Sequence, residues 1–418
     1  MSPISFKKAS QMNKFRLIIL AILASVALTA CNSTPKAKYV FLFIGDGMGF
    51  GCLSVTESYL SQAEAGQIGM GQLSFSDFPV LGAASTYSAD HQTTDSAAGG
   101  SALSSGFKYN NGALCISPEG DTIPSIAYKL HDAGYKVGVM ATVCIDHATP
   151  GAFYGRVDQR GKYYEIGSRL ADSGFDFFGG GDFNRPFEQQ PSCFEKAEAA
   201  GYTIAYGRDE FAAKKADADK IVFFQKRDTT HPLSQFPTRL ERIQRNNPDD
   251  LTLAELVSSA IDFLDNDKGF FMMAEGSMID WAAHSNDLPG IIGETLDFSD
   301  AIAVAKDFYK KHPKNTLIVV TADHETGGPA GNKPDLAKVK GMLDAQRNSG
   351  DTNVDNYMSG ENNKAEISKT AGIGWTTGSH TSDRVPVYAI GAGSEKFAGE
   401  IDNTEIPRKI MEAMGINF

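Results

Sequence analysis

The sequence is poor in several things that would each point to a class of protein. Five cysteines stand among 418 residues, and their spacing matches no metal-binding pattern. A basic excess is missing: 39 Lys and Arg face 51 Asp and Glu, for a net charge of −12. That balance excludes a nucleic-acid platform, which needs a positive footprint. No repeat of fixed period runs through the chain. The apolar run LIILAILASVALTA, at 17–30, is too short for a comfortable membrane span. What is present is 42% hydrophobic and 22% charged residues with 42 glycines, a globular composition with enough apolar material for a large core.

Lys7, Lys8, Lys14 and Arg16 precede that apolar run, and Cys31 follows it. The basic-then-apolar order is that of an export signal. Leu28-Thr29-Ala30-Cys31 resembles the lipobox of bacterial lipoproteins. The resemblance implies cleavage before Cys31, a lipid on that cysteine and anchoring in a membrane. Asn32 in the next position implies the outer membrane, so the expected product is an exported lipoprotein of the periplasm or outer membrane. Residues 1–30 therefore read as signal peptide, 31–38 as a polar tether and 39–418 as the folded domain. Cleavage removes four positive charges and no acid, taking the net charge from −12 to −16. An exported compartment permits disulfides, and the remaining Cys52, Cys115, Cys144 and Cys193 leave their pairing open.

In the folded part, YVFLFIGDG from residue 39, KVGVMATV (136–143), KIVFFQ (220–225), GFFMMAEG (269–276), NTLIVVTADH (315–324) and VPVYAIG (385–391) predict strands buried on both faces. Between them IPSIAYKLHDAG, LTLAELVSSAIDFLDND and IIGETLDFSDAIAVAKDFYKKHP carry helical patterns. Strand and helix alternating in this way predict an α/β fold with a largely parallel sheet. Residues 151–250 hold short elements broken by Pro, Gly and charges, and 325–374, rich in Asn, Lys, Gly and Asp, read as an insertion within one domain.

Open α/β sheets bind ligands beyond the carboxyl ends of their strands. Asp46, Glu275, Asp323 and His324 all fall there. Downstream of Glu275, Asp280 and His284 are spaced to share one helix face. Carboxylates and imidazoles are the ligands of hydrolytic zinc, whereas magnesium takes oxygen. The pattern predicts a cluster of two or more metal ions.

FIGDGMG (43–49), TTDSAAGGSAL (93–103), DHATPGAFYGRVDQR (146–160), EGSMIDWAAH (275–284), TADHE (321–325) and TGSHT (377–381) together resemble the motifs of the alkaline phosphatases, in the family's order and across nearly all of the mature chain. The resemblance implies a large, mainly parallel sheet sandwiched between helices, with 325–374 as a small crown-like insertion, and a frequent homodimer. It implies hydrolysis of small phosphate monoesters through a phosphorylated Ser96, with Arg160 gripping two phosphate oxygens. Two zinc ions are implied, one on Asp280, His284 and His380, the other on Asp46, Asp323 and His324 with Ser96 approaching it. A magnesium ion would take Asp46 as a bridging ligand together with Thr149 and Glu275.

The chemistry accounts for these residue types. A phosphate monoester is a dianion that repels nucleophiles, and its uncatalysed hydrolysis is among the slowest reactions known. Paired cations neutralise that charge and clamp the entering and leaving oxygens of an in-line displacement. A serine hydroxyl is a weak nucleophile and needs activation. A planar guanidinium makes paired, charge-assisted contacts to phosphate.

The chain departs from some members of the family at three positions. His147 stands where some bacterial members carry aspartate and Trp281 where they carry lysine, both near the magnesium site and phosphate. Thr326 stands where some have a second histidine, so the resemblance does not carry that histidine's support of the zinc ligands over to this chain. Alternative readings are a phosphodiesterase or sulfatase of the same superfamily, or a non-catalytic metal- or phosphate-binding lipoprotein. The sulfatase motif C/S-x-P-x-R is absent, Ser96 with Arg160 favours monoesters over diesters, and no ligand is missing, as a non-catalytic relative would require.

The stretch QTTDSAAGGSA (92–102) has the composition of a linker. The resemblance recasts it as the start of a helix, where backbone N–H groups favour an anion, with small residues leaving clearance around Ser96. Gly99 and Gly100 weaken such a helix by about 1 kcal/mol each, which close packing has to offset. Asp95 has two open roles, capping that helix or orienting Arg160.

Overall fold

The structure is a computed structural model and describes residues 36–228, 235–349 and 361–418. The expected signal peptide, Cys31, most of the tether, His231 and part of the 325–374 segment lie outside the described residues.

Ten strands form one sheet: β1 (Tyr39–Gly45), β2 (Val80–Ser85), β3 (Lys136–Ala141), β4 (Phe177–Gly180), β5 (Tyr202–Tyr206), β6 (Lys220–Phe224), β7 (Phe270–Gly276), β8 (Thr316–Thr321), β11 (Val385–Gly391) and β12 (Gly399–Asp402). Their spatial order is β12-β2-β11-β8-β1-β7-β3-β4-β6-β5. β11 runs antiparallel to both neighbours, and every other pairing in the sheet is parallel. All six strands predicted from continuous apolar runs are present. β1, β7 and β8 are buried along their whole length, as strands covered by helices on both faces must be.

The three predicted helices form as Ile126–Asp132, Leu253–Leu264 and Leu288–Lys311. Thr252 and Glu255 close a capping box on the second, and the Asp287 side chain accepts from the Gly290 N–H at the start of the third; each supplies a partner to an otherwise orphaned first-turn donor. The main buried apolar cluster extends from Ala37 to Met414, with a small satellite of Ala141, Val143 and Met278. Within 325–374, the described residues include helices Ala337–Ser349 and Glu361–Thr370.

Two features of the topology place the site. The central strands β8, β1, β7 and β3 are adjacent and parallel, with Ile44 level with both Glu275 and Thr321, and Glu275 level with Ala141. Their carboxyl ends therefore open side by side. Beyond them a two-stranded ribbon pairs β9 (Glu325–Thr326) antiparallel to β10 (His380–Thr381), with Thr326 opposite His380. The ribbon brings a distant part of the chain to the end of β8.

Cys52, Cys115, Cys144 and Cys193 are all buried and unpaired. The disulfide question left open by the sequence thus resolves to four free thiols packed in the interior.

Candidate metal and phosphate site

Ser96 is the first residue of the helix Ser96–Ser105, capped by Asp95. The Asp95 Oδ1 accepts from the N–H groups of Ala98 at 3.0 Å and Gly112 at 3.1 Å, while its Oδ2 accepts from Arg160 Nη1 at 3.1 Å. Both candidate roles of Asp95 are therefore filled at once. Burial works against its charge, but the Ala98 N–H, Arg160 and the Gly112 N–H outweigh it and hold the carboxyl below its ordinary range. The small residues of this helix allow close packing. A Cβ on Gly99 would lie 2.8 Å from the Asp323 carbonyl oxygen, and one on Gly100 3.2 Å from the Thr149 Cα. The glycines that weaken the helix are the ones that let it lie against the segments of Asp323 and Thr149.

Asp46 follows β1, Glu275 is the penultimate residue of β7, and Asp323 and His324 follow β8; all four are fully buried. His324 Nε2 is 3.4 Å from Asp46 Oδ1, 3.4 Å from Asp323 Oδ2 and 3.2 Å from Ser96 Oγ. Zinc–ligand bonds of 2.0–2.2 Å in a tetrahedron set neighbouring donors roughly 3.3 Å apart. The three distances from His324 Nε2 match that spacing.

A second set has the same dimensions. Asp280 and His284 share a face of the helix Met278–His284, with Asp280 Oδ2 3.4 Å from His284 Nε2. His380 Nε2 lies 3.1 Å from His284 Nε2 and 3.8 Å from Asp280 Oδ1. The His284 side chain is 38% exposed, while those of His324 and Asp46 are 0% exposed. The set built on His284 thus opens to solvent, while His324 and Asp46 of the other set are buried.

A third set comprises Asp46, His147 and Glu275, each offering one donor atom within 4.8 Å of the others. Thr149 stands beside it in the helix Ala148–Tyr154. The sequence placed His147 only near this site; the fold brings its ring into the set itself. Arg160 Nη2 is 3.3 Å from His147 Nε2, and Trp281 packs edge-on against the His147 ring at 6.2 Å. Arg160 is thereby held between Asp95 and His147.

The electrostatics call for cations. Asp46 Oδ1 and Oδ2, Asp323 Oδ2, Glu275 Oε1 and Oε2, Thr149 Oγ1 and His147 Nδ1 are all buried without a hydrogen-bond partner. Buried polar atoms are almost always paired, so this concentration of orphans marks a site built for ions. Burial, followed by repulsion from Asp323, Asp280 and Glu275, drives the Asp46 carboxyl well above its ordinary range. Burial first, and Asp323 among the remaining influences, push Glu275 up to about 8. Burial and the neighbouring His380 lower His324 to about 3, and burial and Arg160 do the same to His147. Both imidazoles are therefore neutral; His324 is then in the form that binds metal, whereas the Nε2 lone pair of His147 faces the Arg160 donor. The residues present fit two zinc-type sites and a third, more oxygen-rich one.

The histidines without a motif stay out of these sets among the described residues. His91 pairs with Asp90 at the surface, His131 packs on Phe175, and His312 packs on Tyr39 and Phe308. The sequence gives no sign of the backbone carbonyls of Thr94 and Gly378, which accept from His380 Nδ1 and His284 Nδ1. It also shows Thr326 only as an absence of histidine. Main-chain acceptors have no sequence signature, so nothing in the chain announces the first two.

A family model described as alkaline phosphatase matches residues 37–175 and 234–416. Alkaline phosphatase 3 of Bacillus subtilis (strain 168) is 31% identical, over 97% of this chain and 99% of its own. The solved alkaline phosphatase of the Antarctic bacterium TAB5 is 30% identical with a TM-score of 0.73, covering 92% of this chain and 100% of that one. A histidine-to-aspartate variant of the TAB5 enzyme, at the same identity, TM-score and coverage, carries Mg in a site called M3. With the motifs, the sheet and the clustered ligands in agreement, the chain belongs to the alkaline phosphatase family and is a metal-dependent phosphatase.

Proposed function

We propose that the chain hydrolyses small phosphate monoesters through a phosphoserine at Ser96, using two zinc ions and one magnesium ion. The observation that carries this reading is the placement of Ser96 Oγ 3.2 Å from His324 Nε2, at ligand spacing from a buried donor set. The first zinc would be held by Asp280, His284 and His380, the second by Asp46, Asp323 and His324, and magnesium by Asp46, Thr149 and Glu275, with His147 beside them. When bound, the cations neutralise the phosphate dianion and the charge that develops on the entering and leaving oxygens.

The protein supplies the rest. Arg160, aimed by Asp95 and His147, offers its fork to two phosphate oxygens. Ser96 Oγ forms a bond to phosphorus as the ester P–O bond breaks and the alcohol leaves; water then cleaves the phosphoserine, returning Ser96 and releasing phosphate. Two in-line inversions retain configuration at phosphorus. The His284 rim, open to solvent, is where the alcohol departs. The Bacillus relative named above is an alkaline phosphatase, and the magnesium in the TAB5 variant supports a third cation site here. The homodimer, the signal peptide and the lipid on Cys31 belong to the same proposal and rest on sequence resemblance.

The test is chemical trapping. Acid quench of the enzyme with radiolabelled phosphate monoester should leave label on Ser96, and Ser96→Ala should lose both the label and nearly all turnover. Turnover by the alanine variant at the wild-type rate would remove Ser96 from the role.

A further inference from the structure

The hydroxyl of Thr326 sits between the two zinc-type sets and touches one ligand of each. Its Oγ1 lies 2.6 Å from Asp280 Oδ1 and 3.2 Å from His324 Nδ1. A hydroxyl has one hydrogen to give, and a carboxylate oxygen only accepts. The hydrogen therefore goes to Asp280, and the oxygen lone pair is left to accept from His324 Nδ1–H. That puts the ring proton of His324 on Nδ1 and its lone pair on Nε2, the nitrogen facing Asp46, Asp323 and Ser96.

Thr326 is itself firmly placed. It is fully buried, its N–H donates to the Gly47 carbonyl at 3.0 Å, and it pairs with His380 across the ribbon. Gly47 keeps the junction closed, because a Cβ there would lie 2.8 Å from both Thr326 Oγ1 and Asp280 Oδ1. One side chain thus reaches a ligand of the solvent-facing set through its hydrogen and a ligand of the buried set through its lone pair.

We propose that Thr326 is a positioning residue that couples the two zinc centres. Its hydroxyl aims the Asp280 carboxylate and sets the tautomer of His324, so that filling one centre favours filling the other. The threonine thereby replaces the support that the missing histidine provides in some relatives. The inference rests on the two-zinc reading above.

The experiment titrates metal-stripped protein with zinc against a chelator of known affinity. Wild type should take up two zinc ions in one coupled transition. Thr326→Val, nearly isosteric but without the hydroxyl, should bind zinc more weakly by roughly 10–100-fold, the usual effect of losing a partner behind a metal ligand, and should fill in two separated steps. Thr326→Ser, which keeps the hydroxyl, should restore affinity and coupling. Thr326→Ala, which removes the hydroxyl and adds no atom, stands in if the valine variant does not fold when stripped. Wild-type binding by the valine or alanine variant overturns the proposal, as does equal loss in the serine variant, which would report packing of the methyl group. Uptake of fewer than two zinc ions by wild type itself would instead bring down the two-zinc reading, and the coupling with it.

Discussion

His284 and His380 aim their Nε2 atoms at each other across 3.1 Å, while each Nδ1 lies 2.9 Å from a backbone carbonyl. A carbonyl only accepts, so both Nδ1 atoms carry the proton, and in the neutral rings both Nε2 atoms present lone pairs. Two lone pairs at that distance repel. A cation between them would turn the repulsion into coordination, with Asp280 completing the set.

His380→Ala should therefore empty the solvent-facing centre. Elemental analysis should show zinc falling from two ions per chain toward one, with turnover lost by more than the roughly 10–100-fold typical of partners behind the ligands. Exhaustive chelation of wild type should abolish activity, and zinc plus magnesium should restore it. Activity that survives complete stripping would sink the metal-dependent mechanism.

Asp95 permits its two roles to be separated. Asn caps a helix about as well as Asp, so Asp95→Asn should keep stability near wild type while weakening inhibition by inorganic phosphate, because Arg160 loses its charged partner. Asp95→Ala should lose the cap as well, at about 1 kcal/mol of unfolding free energy. Urea unfolding and phosphate inhibition constants measure the two effects; identical behaviour of the two variants would contradict the division.

The carboxylates of the site make a prediction about pH. Glu275, moved by burial from 4.5 to about 8, keeps its proton in the folded, metal-free protein over a range where the unfolded chain has lost it. Such a group contributes stability below pH 4.5 that is lost as pH rises through about 8. His147 and His324, lowered from 6.5 to about 3, act in the opposite sense only below 6.5. The clean window therefore runs from pH 6.5 to 8. Glu294 and Asp146, raised to about 8 and about 7, pull in the same direction in stripped and loaded protein alike. The expected result is a melting temperature that falls more steeply across this window for stripped protein than for protein reloaded with zinc and magnesium. Parallel slopes would contradict the assignment of Glu275 and its neighbours as the cation ligands.

For the amino terminus, Cys31→Ser should abolish labelling by radioactive palmitate in the native host and release the phosphatase from membranes. Continued labelling would refute the lipobox reading.

Strands built from unbroken apolar runs, such as YVFLFIG and NTLIVVT, were legible because burial on both faces demands that composition. β4, with sequence FFGG, is too short and glycine-rich to stand out, and β2, VLGAAS, is small residues after its first two. β5 and β12 lie at the two edges of the sheet, where one-sided pairing tolerates the polar and charged residues of YTIAY and GEID. Their strand character comes from their neighbours.

The sequence by itself determined which side chains are the candidates for the chemistry. Acids and imidazoles gathered at strand ends, in the order of a known motif series, are what metal-assisted hydrolysis needs and what a merely solvated surface does not. Tertiary structure decided how they meet. The β9–β10 ribbon sets His380 beside His284 and His324, and carbonyls of Thr94 and Gly378 turn the rings. Asp95 holds a helix and Arg160 together, and Thr326 becomes a bridge where the sequence showed only a substitution. Each of these depends on a direction in space between residues far apart in the chain, and on main-chain atoms that every residue shares. One-dimensional spacing carries neither.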